Sequence, residues 1–229
     1  MTEEVPTGHP HPAIDGRTGG LAALADAVRS LIGLTVTTAA PDEELDAVAA
    51  DLRAAAERLA AHRPATPFPR FVTPSREHPL KPTTMAENMA FDVVIGPYNP
   101  LALPVEVEPG EPGAVGRARF GIAYEGPPGC VHGAVIAGTF DIVLTAANVA
   151  AGVAGPTIRL GLRYRNPTLI DTETRFEAWV DRVDGRRVLT KGRAVQHGEV
   201  TVEAEGEFAN LDHERIQTMQ HGRRRPAEG

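Results

Sequence analysis

Residues 133 to 151 constrain this 229-residue chain more than any other stretch. The run Gly133-Ala134-Val135-Ile136-Ala137-Gly138-Thr139-Phe140-Asp141 and its continuation to Ala151 carry one formal charge, Asp141. A carboxylate in a segment meant for a core is expensive to bury without a partner or a task. The run is rich in Gly and Ala and also holds Asn148, which fits a buried helix of a folded domain better than a membrane span. A turn, Gly126-Pro127-Pro128-Gly129, and then Cys130-Val131-His132 lead into it. The second half of the chain is therefore expected to fold around this helix, with Asp141 doing chemistry.

Alternation supplies the layer that would cover the helix. In Thr157 to Arg165, the apolar Ile158, Leu160, Leu162 and Tyr164 oppose Arg159, Gly161, Arg163 and Arg165, the pattern of a half-buried strand. Thr172 to Val183 alternates in the same way, and Asp184-Gly185 is a hairpin signal of the type that needs positive φ. Arg187 to Gln196 returns, His197-Gly198 turns, and Glu199 to Phe208 runs back. Ahead of the helix, Phe91 to Ile95, Leu101 to Val107 and Ala114 to Tyr124 read as strands. One antiparallel sheet with one long helix is an α+β layer arrangement. A sheet curved around that helix would bury it on nearly every side.

The first third reads differently. Residues 1 to 19 are polar and are expected to be poorly ordered, with His9-Pro10-His11 a solvated pair. Leu21 to Ile32 is a short helix with Leu21, Leu24, Val28, Leu31 and Ile32 on one face. A second helix follows Pro41. Its acidic start, Asp42-Glu43-Glu44, suits the positive end of a helix dipole. Leu45, Val48, Leu52, Ala56 and Leu59 recur at helical spacing, and Pro64 ends it. Each helix has one apolar face, so each is expected to pack on the other or on the main domain. Pro64, Pro67, Pro69, Pro74, Pro79 and Pro82 mark an extended connector, with Phe68 and Phe71 as clips. The expected division is an N-terminal helical extension and connector over 1–84, the main domain over 85–212 and a polar tail over 213–229.

Composition narrows the partners. A net charge of -7 and a pI near 5.6 argue against a general nucleic-acid binder. One cysteine, Cys130, allows no internal disulfide and no cysteine-rich metal site, so no metal is expected. The start Met1-Thr2-Glu3-Glu4 lacks the basic and apolar parts of an export signal. The expectation is a cytoplasmic protein.

The motif set resembles the hotdog-fold acyl-CoA thioesterases of the PaaI-like type, in the 4-hydroxybenzoyl-CoA thioesterase superfamily. It comprises the glycine-rich turn, His132-Gly133, Asp141 nine residues after the His, and the strand Thr157-Ile158-Arg159-Leu160-Gly161-Leu162-Arg163-Tyr164-Arg165-Asn166-Pro167. The likeness covers roughly Asn99 to Leu211. It implies a hotdog fold, a curved antiparallel sheet wrapped around one central helix. It also implies hydrolysis of an acyl-CoA thioester to free acid and CoA. The chemistry needs a base or nucleophile at the carbonyl carbon and donors for the developing oxyanion. A helix N-terminus offers unpaired N–H groups and a positive dipole end.

The Gly133 N–H, with the Ala134 N–H beside it, is the candidate oxyanion hole. Asp141 is the candidate base or nucleophile. It lies about 13 Å along a helix from His132 at 1.5 Å per residue, too far to reach the same carbonyl. By resemblance, the donors come from one protomer and the Asp from its neighbour. This calls for a homodimer or a dimer of dimers with sites at the subunit interface. His132 would position the thioester, or cap the helix. Thr157 resembles a water-orienting partner of the Asp, or simply starts its strand. Asn99, in Tyr98-Asn99-Pro100, resembles a substrate-proximal Asn-Pro, or an ordinary turn. Ala134 stands where the motif has a second Gly, and its Cβ narrows the space for the thioester.

Arg163 and Arg165, with Arg159, Arg186, Arg187 and Lys191, are candidates for the CoA phosphates, or the solvated faces of strands. Tyr98, Phe120, Phe140 and Trp179 are candidates to line an acyl pocket. Cys130 reads as a small buried residue. No cofactor is expected beyond the coenzyme A of the substrate, and no nucleic-acid or membrane partner. Two other readings stand beside hydrolysis: a hotdog enoyl-thioester hydratase or dehydratase, and a non-catalytic acyl-CoA binding module.

Overall fold

The computed structural model describes residues 11, 13–66, 68, 81, 83, 85–153 and 155–210. Three helices come first: α1 (Thr18–Thr35), α2 (Asp42–Ala60) and the single turn α3 (Met85–Asn88). Strands β1 (Val105–Gly110) and β2 (Gly113–Arg119) and a 3₁₀ turn (Ile122–Tyr124) lead to the long helix α4 (Gly133–Ala150). Strands β3 (Thr157–Tyr164), β4 (Glu173–Asp184), β5 (Arg187–Gln196) and β6 (Glu199–Ala209) complete the chain. All six strands form one antiparallel sheet in the order β1-β2-β4-β5-β6-β3. This is the hotdog arrangement, with α4 lying along the inner face of the curved sheet.

Alternation along β4, β5 and β6 decides which residues meet the helix. Phe176, Ala178, Val188, Ala194, Val202, Ala204 and Phe208 are buried against Ile136, Phe140, Val143 and Leu144 of α4. Phe176 sits at the centre, edge-on to Phe140 at 5.2 Å and to Phe120 at 6.3 Å between ring centroids. The helix can approach this closely because β5 carries Gly192 at the crossing. A Cβ there would lie 3.2 Å from both Leu144 and Phe140, and 2.8 Å from the Glu177 carbonyl. At the far end of α4, buried Asn148 accepts a hydrogen bond from the Thr190 hydroxyl of β5.

Several expectations need correction. About half of α4 is buried, not nearly all of it. The sheet of one chain covers one face, and a stripe of Ala134, Ala137, Gly138, Asp141 and Thr145 stays exposed or half-buried. Strand β3 is an edge strand whose apolar row is sheltered only in its middle: Leu160 and Leu162 pack against the core, while Ile158 is 56% and Tyr164 53% exposed. Residues 91–95 form turns, because the Asp92 carboxylate accepts from the Val94 and Ile95 amides at 2.7 and 3.1 Å and bends the chain.

His11 is fully buried, its ring edge-on to Phe91 at 5.0 Å, and Ile14 is buried with it. The segment entering α1 is thus docked rather than solvated. Helix α1 is tied down through Arg29, which donates to the carbonyls of Pro97 and Asn99 at 2.7 and 3.0 Å. Helix α2 has no buried residue, contrary to the expected packing. Phe68 is exposed. Phe71, His9, most of the proline-rich connector and the tail over 213–229 lie outside the described residues.

The outer face of the sheet is a mosaic of opposite charges. Glu177 lies between Arg175 and Arg193, at 2.8 and 2.6 Å. The hydrogen bond from Arg175, and then the one from Arg193, hold its carboxyl below the usual carboxylate range against the opposing effect of burial. A depressed folded-state value contributes stability at neutral pH that is lost as the pH falls through it. Glu177→Gln is therefore expected to be less stable than wild type at neutral pH. The gap should close in acid, below the carboxylate range. Urea midpoints across pH check this; a gap that stays constant down to strong acid would contradict it.

Candidate active site

The helix start is built by the turn before it. Gly129 takes φ +74 and donates its N–H to the Glu125 carboxylate at 2.6 Å. The Val131 amide donates to the Thr168 carbonyl and the His132 amide to the Tyr124 carbonyl, both at 2.8 Å. Gln196, buried on β5, donates to the Leu169 carbonyl and accepts from its amide, holding the 166–171 loop against Cys130. The loop and the turn thus brace each other, and both fix the position of His132.

His132 is the N-cap of α4, and its Nδ1 accepts from the Ala134 amide at 3.0 Å. Two consequences follow. The Ala134 N–H, expected as a second oxyanion donor, already has a partner. The neutral imidazole must also carry its proton on Nε2, where it is a donor. The Gly133 N–H has no hydrogen-bond partner among the described residues. Gly133 is pressed against the ring of Tyr164: a Cβ there would lie 3.0 Å from its hydroxyl oxygen. The Tyr164 hydroxyl donates to the Gly133 carbonyl at 2.9 Å. Partial burial raises the pKa of this phenol, which keeps it protonated and able to donate. Tyr164 was readable as a strand residue but not as a member of the site. The contact joins residues 31 apart, and its one local trace was an aromatic side chain on an otherwise Arg-rich strand.

Asp141 lies two turns further on, half-buried on the open stripe of α4. The Thr157 hydroxyl, at the first residue of β3, donates to its Oδ1 at 2.7 Å. No other hydrogen bond to the carboxylate occurs among the described residues, so Oδ2 is left for a ligand or water. The fold brings together Asp141 with Thr157, and His132 with Gly133, Ala134 and Tyr164. It does not bring the two groups together within one chain. Eight residues separate Gly133 from Asp141, about 12 Å of helix.

The other candidates are placed elsewhere. Asn99 donates to the Phe91 carbonyl and accepts from the Leu101 amide, both at 3.0 Å, so both polar ends of its side chain hold its own loop. Arg165 is paired with Glu203, Arg187 with Glu207 and Lys191 with Asp181. Arg159 and Arg163 line an outer-face groove of about 420 Å³ with Glu203, Glu205 and Glu207. Phe120 and Phe140 are buried in the core rather than lining a pocket, and Cys130 is half-buried. No cluster of three or more His, Cys, Asp or Glu suited to a metal occurs among the described residues.

Comparison with solved structures adds to this geometry. A crystal structure described as a thioesterase superfamily protein is 33% identical over 82% of this chain and 90% of its own, with a TM-score of 0.72. That coverage exceeds what residues 85–210 can supply, so the match reaches into the N-terminal extension. Zebrafish thioesterase superfamily member 2 is 19% identical over 58% of this chain and 99% of its own, with a TM-score of 0.48. The Escherichia coli PaaI protein of the phenylacetic acid degradation operon is 13% identical over 46% and 82%, with a TM-score of 0.43. No protein-family model and no curated protein matches the sequence.

Proposed function

The chain belongs to the thioesterase superfamily, and on that premise we propose that it hydrolyses an acyl-CoA thioester to the free acid and CoA. The observation that carries the reading is the hydrogen bond from Thr157 to Asp141 on the open face of α4. Thr157 holds one carboxylate oxygen and leaves the other to take a proton from water. The resulting hydroxide adds to the thioester carbon, and the carbonyl oxygen becomes an oxyanion. The unpartnered Gly133 N–H at the positive end of α4 receives that charge. Collapse of the tetrahedral intermediate breaks the C–S bond, and the CoA thiolate leaves and takes up a proton. Attack by Asp141 itself would give an acyl anhydride instead. A single turnover in ¹⁸O-water reports on this: attack by water labels every molecule of acid, whereas unlabelled acid with ¹⁸O left in the Asp141 carboxylate requires direct attack followed by hydrolysis at the aspartyl carbonyl.

The two halves of the site are about 12 Å apart on one helix, so a complete site needs two copies. A homodimer would set Gly133 of one protomer against Asp141 and Thr157 of the other. It would also cover the half-open stripe of α4 and the exposed edge β3, whose unpaired backbone groups are a natural docking template. Hydration of an enoyl thioester fits less well. It needs a histidine that takes up a proton at the substrate, and the His132 ring has its one neutral acceptor, Nδ1, turned to Ala134. A purely binding role leaves the Thr157–Asp141 pair without a task.

Free-thiol release from a panel of acyl-CoAs of different chain length and aryl character tests the reading. Turnover on at least one is expected; no release above background on any of them sinks it. Thr157→Val removes the donor while keeping the shape. It is expected to lower kcat roughly 10- to 100-fold, with Thr157→Ser near wild type, by the scale of a positioned hydrogen bond in acid–base catalysis. Equal rates for the Val and Ser variants would remove Thr157 from the mechanism.

A further inference from the structure

Among the described residues, helix α2 is the element left without a buried side chain. None of its residues is buried, and Leu45, Val48, Leu52 and Leu59 are 43, 38, 44 and 53% exposed. These four, with Ala55, are spaced three and four residues apart in strict alternation: 45, 48, 52, 55, 59. That is the heptad seam of a two-stranded coiled coil, narrower than the stripe a helix turns to a globular core.

The charges beside the seam select the partner and its direction. Asp51 and Arg58 each directly precede a seam leucine, Leu52 and Leu59, one heptad apart. The first turn of α2 is acidic, with Asp42, Glu43 and Glu44, while its last turn holds both Glu57 and Arg58, and His62 and Arg63 follow just past its end. In a parallel pair, acidic ends would meet acidic ends and Arg58 would face Arg63. In an antiparallel pair of identical helices, Leu52 packs beside Ala55 and Val48 beside Leu59 of the second copy. Asp51 of each then lies next to Arg58 of the other, and the two helix dipoles oppose. The helix is complementary to itself in one orientation.

We propose that α2 is a self-association helix, which joins two copies of this chain through an antiparallel two-stranded seam centred on Leu52 and Ala55. From Leu45 to Leu59 the seam is about 21 Å long, which is short for an isolated coiled coil. It therefore acts beside another contact between copies, where a tethered second contact gains from high effective concentration. The inference does not rest on hydrolysis. Its test reads mass, so it can fail while the chain remains an active thioesterase, and the reverse.

The experiment is sedimentation equilibrium on the full chain over a wide concentration range. Leu52→Glu places a charge in the seam and is expected to lower the association constant at least tenfold. Because Leu52→Glu could also perturb α2 itself, the charged pair supplies a cycle on exposed positions. Arg58→Glu sets carboxylates against each other and is expected to weaken association. Asp51→Arg combined with Arg58→Glu restores the pairing and is expected to return the association constant to within about threefold of wild type. Unchanged mass in Leu52→Glu and Arg58→Glu overturns the proposal. So does weakening by Arg58→Glu that the second substitution fails to restore, since α2 would then meet a different surface.

Discussion

Asp141→Asn is expected to lower acyl-CoA hydrolysis by about 10²- to 10⁴-fold, the span of a positioned general base. The substitution suits the site because it changes little else. An Asn side chain has the same shape, and its carbonyl oxygen can still accept the hydrogen bond that Thr157 gives at 2.7 Å. What it loses is the negative charge and the basic oxygen that removes the proton from water. The fall should appear in kcat more than in KM, because the lost interaction belongs to the transition state. Thermal stability should hold or rise slightly, since a half-buried carboxylate with one hydroxyl partner carries a desolvation cost. Thiol release and a melting curve on the same preparation check both parts. A variant that melts like wild type and turns over at the wild-type rate would end Asp141's role as the base.

The largest expected loss of stability is at Phe176. Its side chain is fully buried, edge-on to Phe120 and Phe140 and opposite Gly116 of β2, whose missing side chain lets the two strands and α4 close on it. Phe176→Ala leaves a void bounded by a helix and a sheet, neither of which can collapse far. The cost is about 3–5 kcal/mol, the range for a phenylalanine removed from a rigid core. Against a total of roughly 5–15 kcal/mol for a domain, that is a large share. The denaturant midpoint should fall while the slope stays near wild type, because the surface exposed on unfolding is almost the same. Phe176→Leu, which keeps most of the volume, should recover much of the loss. A midpoint within experimental error of wild type for the Ala variant would show that this cluster is not the centre of the core.

The parts of the chain that could be read in advance were those whose signal is local. Strands β3 to β6 follow alternation, and the β4–β5 turn follows Gly185 at φ +55. Helix α4 was legible from its unbroken apolar run, and Asp141 from being its one charge. A Thr157–Asp141 pairing is one of two readings the resemblance offers and is not implied by spacing, since sixteen residues of helix, turn and strand separate the pair. The stretch 91–95 misled because Phe91-Asp92-Val93-Val94-Ile95 has the composition of a strand. Asp92 bonds its own following amides, a competition between side chain and backbone that a hydrophobic pattern does not display. His11 misled for the opposite reason: one histidine of a polar stretch is buried in an aromatic contact with a residue 80 positions away.

By itself the sequence determined the layers, one helix against one antiparallel sheet, and the residue types that could do chemistry at the helix start and middle. Periodicity and turn chemistry act between near neighbours, and near neighbours are what a sequence lists in order. Tertiary structure alone decided how those residues are used. It turned the His132 Nδ1 to the Ala134 amide, brought Tyr164 onto Gly133, spent Asn99 on its own loop and Arg165 on Glu203, and left α2 without a buried residue. Those outcomes depend on which groups meet across the sheet and around the turns, and on which polar atoms remain unpaired once they have met. Among the described residues, the Gly133 amide and the second carboxylate oxygen of Asp141 are two such atoms, one at each end of the same stretch of helix.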